Sequence, residues 1–367
     1  MNKFLLSLYL ISLLGVLASA CSDDDPTCTE SLWYEDADGD GLGNPNVSQE
    51  SCTQPSGYVS NMDDDDDSNS SNAYQIDASF FQSSSLLSFN VINCTLSNGS
   101  STTCYEIKFT SNPVEHGPYC PKTIDEIGGV GIYDGASNPG FQVMKRSLWE
   151  AMEADGYDIV DANGNITVVD PGDMSGPPPS GGACLEASPD DDLTLTFVLP
   201  MIPEVLSTPD VLGTVEHIGV SLEGIPLTGD PPSATQSMGG MPGGGGAIPS
   251  IDPCGGHIDP FGYYHLHFAP QDMANIYENL GITEVACTNF EQDDTALVGF
   301  AKDGYPIYAS KEENGSLPAD LDACNGHFGP TPHFPEGVYH YHASSSDAPN
   351  VPPCLIGASV NNAFSYQ

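Results

Sequence analysis

Hydrophobic residues fall into three regimes along the chain. An apolar run from Phe4 to Leu17 follows Met1-Asn2-Lys3, residues 22–69 are acid-rich and poor in aliphatics, and from Tyr74 onward apolar runs return with aromatics enough for a core. In the third regime the clearest strand patterns are 104–110, 193–199, 217–222 and 297–301, rich in β-branched or aromatic residues and bounded by turn formers. Helical patterns are few: 147–154, and 271–280 stopped by Gly281. The expectation is a mainly β, sandwich-like domain over residues 76–367, with long loops and a few short helices. Thr228 to Ser250, which includes Met241-Pro242-Gly243-Gly244-Gly245-Gly246, reads as a flexible insertion. The run Asp67-Ser68-Asn69-Ser70-Ser71-Asn72 reads as a linker, placing a boundary at 70–75.

The N-terminal pattern is that of a secretory signal peptide over residues 1–20, too short in its apolar core for a spanning helix. It ends Ala18-Ser19-Ala20-Cys21, and a cysteine directly after small residues is what bacterial lipoprotein processing modifies. Cys21 is therefore expected to carry a lipid anchor. That places the chain in the bacterial cell envelope as an outer-membrane lipoprotein, and the acidic tether Ser22-Asp23-Asp24-Asp25 resembles those of surface-displayed lipoproteins. The plainer reading makes Cys21 an ordinary disulfide cysteine behind a cleaved signal. Of eleven cysteines, ten remain without Cys21, an even number suited to disulfides in an oxidising compartment. Cys28 with Cys52, and Cys94 with Cys104, are near enough in the chain to close local loops, the second pair around the turn signal Ser97-Asn98-Gly99-Ser100. Reduced metal thiolates are not expected, because the sequence has no C-x-x-C pair.

Charge narrows the partners. A formal net charge of −44 disfavours nucleic acid and anionic membrane surfaces and favours cations. The acid is also locally patterned. In Trp33-Tyr34-Glu35-Asp36-Ala37-Asp38-Gly39-Asp40-Gly41, alternate carboxylates converge in a tight loop that glycine permits, and hard oxygens suit Ca²⁺. There is no glutamate seven residues past the loop glycine, as an EF-hand requires. Residues 33–69 instead resemble the thrombospondin type 3-like acidic repeats, through Cys52, Pro55-Ser56-Gly57-Tyr58-Val59 and the run Asp64-Asp65-Asp66-Asp67. The resemblance implies a calcium-stabilised module over residues 21–69 with Asp36, Asp38, Asp40, Asp64, Asp66 and Asp67 as ligands. Asp65 stands where such repeats carry a cysteine, which leaves Cys28 as the implied mate of Cys52. The bland alternative is a solvated acidic spacer.

Seven of nine histidines lie between His257 and His342, in two stretches that are versions of one another. Cys254-Gly255-Gly256-His257 leads to His265-Leu266-His267, and Cys324-Asn325-Gly326-His327 leads to His340-Tyr341-His342. Two histidines at i and i+2 on a strand share a face, and a third from the preceding Gly-His, on a flexible loop, would complete a three-nitrogen set for Cu or Zn. His257, His265 and His267 form one candidate set, and His327, His340 and His342 the other; convergence on a single shared site is equally open. Uptake by ordinary imidazoles would weaken as pH falls through about 6.5. Alternating Tyr and His can also build a buried hydrogen-bond network with no ion.

The segments Val298-Gly299-Phe300-Ala301-Lys302-Asp303-Gly304-Tyr305-Pro306-Ile307-Tyr308, Leu321-Asp322-Ala323-Cys324-Asn325-Gly326-His327 and Gly337-Val338-Tyr339-His340-Tyr341-His342 resemble the core of the YHYH family. Ser111 to Pro118 and Gly219 to Pro226 are similar to earlier segments of that family, so the resemblance runs over about 105–360 and adds His116 as a contributor. It implies a domain and no reaction. Three functions follow from the residues. One is a binding protein that holds Ca²⁺ at one end and Cu or Zn at the other. A second is a metalloenzyme, hydrolase or oxidase, with Asp259, Glu336 or Asp303 as general base. The third is a structural or adhesion protein with a buried Tyr/His network. The sequence has no G-x-S-x-G, H-E-x-x-H or P-loop, and metal binding is the favoured reading.

Overall fold

In Ser101–Thr110 the side chains of Tyr105, Ile107 and Phe109 are buried, and Glu106 and Lys108 alternate with them. This period of two makes one face of a strand apolar. The strand pairs with Thr194–Pro200 so that Tyr105, Ile107 and Phe109 lie opposite Leu199, Phe197 and Leu195. Phe364–Tyr366 and Leu86–Thr95 complete a four-stranded antiparallel sheet. The computed structural model describes residues 31–37, 43–53, 55, 57–59, 62, 75–173, 181–231 and 245–367. Residues 1–20, Cys21, Cys28, Asp38, Asp40, Asp64, Asp66, Asp67 and all but the last residue of the 70–75 linker lie outside them.

The second sheet has eight strands: Gly256–Ile258, Tyr264–Leu266, Pro226–Thr228, His217–Ser221, Leu297–Ala301, Pro306–Tyr308, Val338–His342 and Gly326–Gly329, in that spatial order. The order is the same read from either edge inward. In each half an edge strand runs antiparallel to a His-x-His strand. The His-x-His strand lies parallel to the second strand of a hairpin, and the hairpins meet antiparallel at the centre. There Val220 pairs with Phe300, Gly219 with Ala301 and Ser221 with Gly299, so the two halves are related by a local twofold through the Val220–Phe300 pair. The duplication thus extends beyond the histidines to the hairpins Gly219-Val220-Ser221-Leu222-Glu223-Gly224-Ile225-Pro226 and Gly299-Phe300-Ala301-Lys302-Asp303-Gly304-Tyr305-Pro306.

The two sheets share one core. Phe81 bridges them, with ring centroids 5.4 Å from Phe109 and 5.9 Å from Phe300. The architecture is mainly β with few short helices, and the four strands expected from pattern all form. Arg146–Ala154 buries Leu148, Trp149 and Met152 in a smaller core that includes Ile248. Met273–Leu280 ends at Gly281, whose φ of 66° is the left-handed stop.

The stretch read as a flexible insertion is ordered at both ends. Thr228 is in a strand, and Ala247–Pro249 pairs in parallel with Ala183–Leu185 because Ile248 is fully buried. Residues 232–244 lie outside the described residues. In the N-terminal part Ser31–Glu35 pairs with Ser48–Ser51 and Tyr58–Val59, and the backbone N–H of Asp36 donates to Gly57 at 2.9 Å. Four disulfides form among the described residues: Cys94–Cys104, Cys120–Cys184, Cys254–Cys287 and Cys324–Cys354. Cys52 is also disulfide-bonded.

Candidate metal centre

Each half of the large sheet builds its histidine group the same way, from a turn upward. Asp252 Oδ1 accepts the backbone N–H of Cys254 and of Gly256, and Asp322 Oδ1 does the same for Cys324 and Gly326. The other carboxylate oxygen takes a tyrosine hydroxyl: Tyr264 donates to Asp252 at 2.5 Å, and Tyr339 to Asp322 at 2.8 Å. A Cβ on Gly256 would stand 2.3 Å from the Tyr264 oxygen, and one on Gly326 2.0 Å from that of Tyr339. The glycine before each histidine is thus required by the hydroxyl packed against it. It does not mark a flexible loop, as the sequence suggested: His257 lies on the strand Gly256–Ile258 directly opposite His265, and His327 on Gly326–Gly329 directly opposite His340.

Cross-strand pairing and the i, i+2 rule bring three imidazoles to one point in each half. In the first, His267 Nε2 lies 3.1 Å from His257 Nε2 and 3.0 Å from His265 Nε2. In the second, His327 Nε2 lies 3.1 Å from both His340 Nε2 and Glu312 Oε1, and Glu312 Oε1 is 3.9 Å from His342 Nε2. The ligand atoms of each group lie within 4.8 Å of one another. Such separations suit an ion bound at about 2.0–2.1 Å, for which two tetrahedral ligands stand about 3.3 Å apart. The groups do not merge. Five inter-strand steps separate the two His-x-His strands, about 24 Å along the sheet.

The outer ring nitrogens fix which proton is where. His267 Nδ1 donates to Gly229 O at 2.5 Å, His340 Nδ1 to Val338 O at 3.0 Å and His342 Nδ1 to Ala309 O at 2.7 Å. His327 Nδ1 faces Asp320 Oδ1 at 2.8 Å. Carbonyl and carboxylate oxygens only accept, so each Nδ1 carries the hydrogen, and in the neutral ring Nε2 presents a lone pair inward. Burial holds the rings neutral: it depresses His267 and His342 to about 4 and His340 to about 3, and holds His257 and His265 well below the ordinary value. Lone pairs aimed at one another in a buried space repel unless a cation lies between them. His342 Nε2 is buried with no hydrogen-bond partner.

The buried-network alternative predicts backbone carbonyls and tyrosine hydroxyls on the imidazoles. Carbonyls are there, on the Nδ1 atoms of His267, His340 and His342, but tyrosine hydroxyls are not found on the ring nitrogens of the two groups among the described residues. The motif tyrosines bind carboxylates: Tyr341, like Tyr264 and Tyr339, donates to an aspartate, Asp303, at 2.6 Å. An imidazolium at His327 held between Asp320 and Glu312 would satisfy three atoms of the second group and leave His342 Nε2 unexplained. The histidine groups can hold a metal.

Glu312 escaped the sequence reading because Lys311-Glu312-Glu313 has the look of a solvated surface run with no motif spacing to either histidine pair. His116 joins neither group and lies 3.9 Å from Asp191. Asp259 and Asp303 are committed to backbone and tyrosine contacts and Glu336 is exposed, and none joins a histidine group. Asp36 is the calcium candidate that falls within the described residues. It lines a cleft of about 480 Å³ with Trp33, Val59, Tyr305, Asp320 and His327, so the outer face of the second group borders an open space.

The model of the YHYH protein family matches residues 196–317 and 312–357, a stretch that holds the whole eight-stranded sheet and both histidine groups. The match begins at residue 196, so Ser111 to Pro118 lies outside it. No curated protein and no solved structure matches the chain.

Proposed function

We propose that this is an extracytoplasmic metal-binding protein whose two Gly-His…His-x-His groups hold Cu or Zn, with Ca²⁺ bound by the acidic segment and a lipid on Cys21 that fixes the chain to the outer membrane. The observation that carries the transition-metal reading is the convergence of the Nε2 atoms in each group, with His267, His340 and His342 presenting Nε2 lone pairs inward because their Nδ1–H is engaged outward. Neutral imidazole selects borderline metals over Ca²⁺. Elemental analysis of the purified chain should find first-row metal, and H340A with H342A should remove the share bound at the second group. A chain free of metal after exposure to Cu and Zn would sink the reading. Mass measurement of the mature N-terminus tests the anchor, which an unmodified end at another residue overturns.

The cleft beside His327 favours a second reading, an extracellular metalloenzyme that admits a small substrate to the edge of the second centre. Its mark would be turnover that depends on bound metal and on His327. Metal uptake without turnover across hydrolase and oxidase substrates leaves binding as the function.

A further inference from the structure

The two centres share their three-imidazole frame and differ in charge. Among the described residues no carboxylate joins His257, His265 and His267, whereas Glu312 joins His327, His340 and His342. Asp320 Oδ1 stands 2.8 Å from His327 Nδ1 and adds negative field to the second centre.

Placing an ion in a buried pocket costs energy that grows with the square of its net charge. Three neutral imidazoles leave a divalent ion at +2 and a monovalent one at +1. With the Glu312 carboxylate a divalent ion is also left at +1. Coordination number points the same way. Zinc takes four ligands in closed sites, and the second centre offers three nitrogens and one oxygen. The first offers three nitrogens, with His265 and His267 buried. A carboxylate on the outer nitrogen of a ligating imidazole raises its basicity toward a divalent ion, and the second centre has that contact through Asp320.

We infer that the two centres take different ions: His257, His265 and His267 hold Cu(I), and His327, His340, His342 and Glu312 hold Zn(II). This assignment rests on the metal-binding reading above. The test is to strip the purified full-length mature chain with chelator and load it without oxygen with an excess of Cu(I) and Zn(II) together. Metal content and X-ray absorption at both edges are then read. The assignment predicts one copper and one zinc per chain, the copper with nitrogen neighbours only and the zinc with three nitrogens and one oxygen. E312Q should weaken zinc uptake at least about tenfold and leave copper in place. H257A, at the less buried end of the first group, should lose copper and keep zinc. Two zincs or two coppers per chain, or an E312Q chain that holds zinc as the wild type does, would overturn the assignment and leave the metal-binding reading standing. A wild-type chain that takes up neither ion overturns both. The absorption spectra of the unmutated chain decide the matter even if a variant fails to fold.

Discussion

Gly219 and Gly299 stand against each other's hairpins at the centre of the large sheet. A Cβ on Gly219 would lie 2.2 Å from the Phe300 carbonyl oxygen, and one on Gly299 2.0 Å from that of Val220. Both positions face backbone, which cannot turn aside as a flexible side chain can. Gly219→Ala and Gly299→Ala should each cost about 1–3 kcal/mol by overpacking, measured as a shift in the denaturant midpoint. Equal stability to the wild type would mean that the hairpins are free to separate.

Gly326→Ala should act on the second centre through Tyr339. The new methyl would displace the hydroxyl that binds Asp322 and, with it, the strand that carries His327. Metal uptake at the second centre should fall by at least about tenfold, while the first centre, which has its own Gly256 and Tyr264, keeps its ion. Equal loss at both centres would point to general unfolding.

The pH dependence follows from burial. His267, His340 and His342 have folded values near 4, 3 and 4 against about 6.5 unfolded, so the folded chain binds fewer protons than the unfolded one. Their contribution to the stability of the metal-free chain is therefore full above pH 6.5. It falls away as pH drops from there toward 4. Metal release should begin below the pH of about 6.5 expected for ordinary imidazoles, because the folded rings stay neutral there. Equilibrium unfolding and metal retention, each measured between pH 4 and 7.5, check both statements. Release centred on 6.5 would show that the rings are open to water.

Calcium is the remaining cation. Asp36, Asp38 and Asp40 with Asp64, Asp66 and Asp67 are proposed to hold it, so Asp38→Ala with Asp40→Ala in the full chain should abolish a calorimetric response to micromolar or millimolar Ca²⁺. The transition-metal content should not change. An unaltered heat signal in that variant would return the segment to the role of an acidic spacer.

Much of the site could be read from residue order. His265 with His267, and His340 with His342, were placed on one face by the strand period alone, and the repeated Cys-x-Gly-His supplied the third imidazole. What pattern could not show was geometry between distant segments. Glu312 reaches the second group from a loop with no periodic tie to it, and the Gly229, Ala309 and Val338 carbonyls that set the tautomers have no residue signature. Residue order puts each Gly-His on a flexible loop, whereas at Gly256 and Gly326 a tyrosine oxygen occupies the space a side chain would need. The strands 217–222 and 297–301 each carry their own strand pattern, but their equivalence lies in the pairing of Val220 with Phe300, which no sequence pattern expresses.

The histidine strands Gly256–Ile258 and Gly326–Gly329 are also the two borders of the eight-stranded sheet. A border strand offers unpaired backbone groups to any neighbouring chain, and short length is one defence against such pairing. These borders are three and four residues long. An ion bound by His257 and by His265 and His267 across the first border, or by His327 and by His340 and His342 across the second, would rivet the outermost strand to the next. Removing the metal would then loosen both margins of the sheet at once, and self-association of the stripped chain would follow from frayed edges rather than from an exposed apolar core.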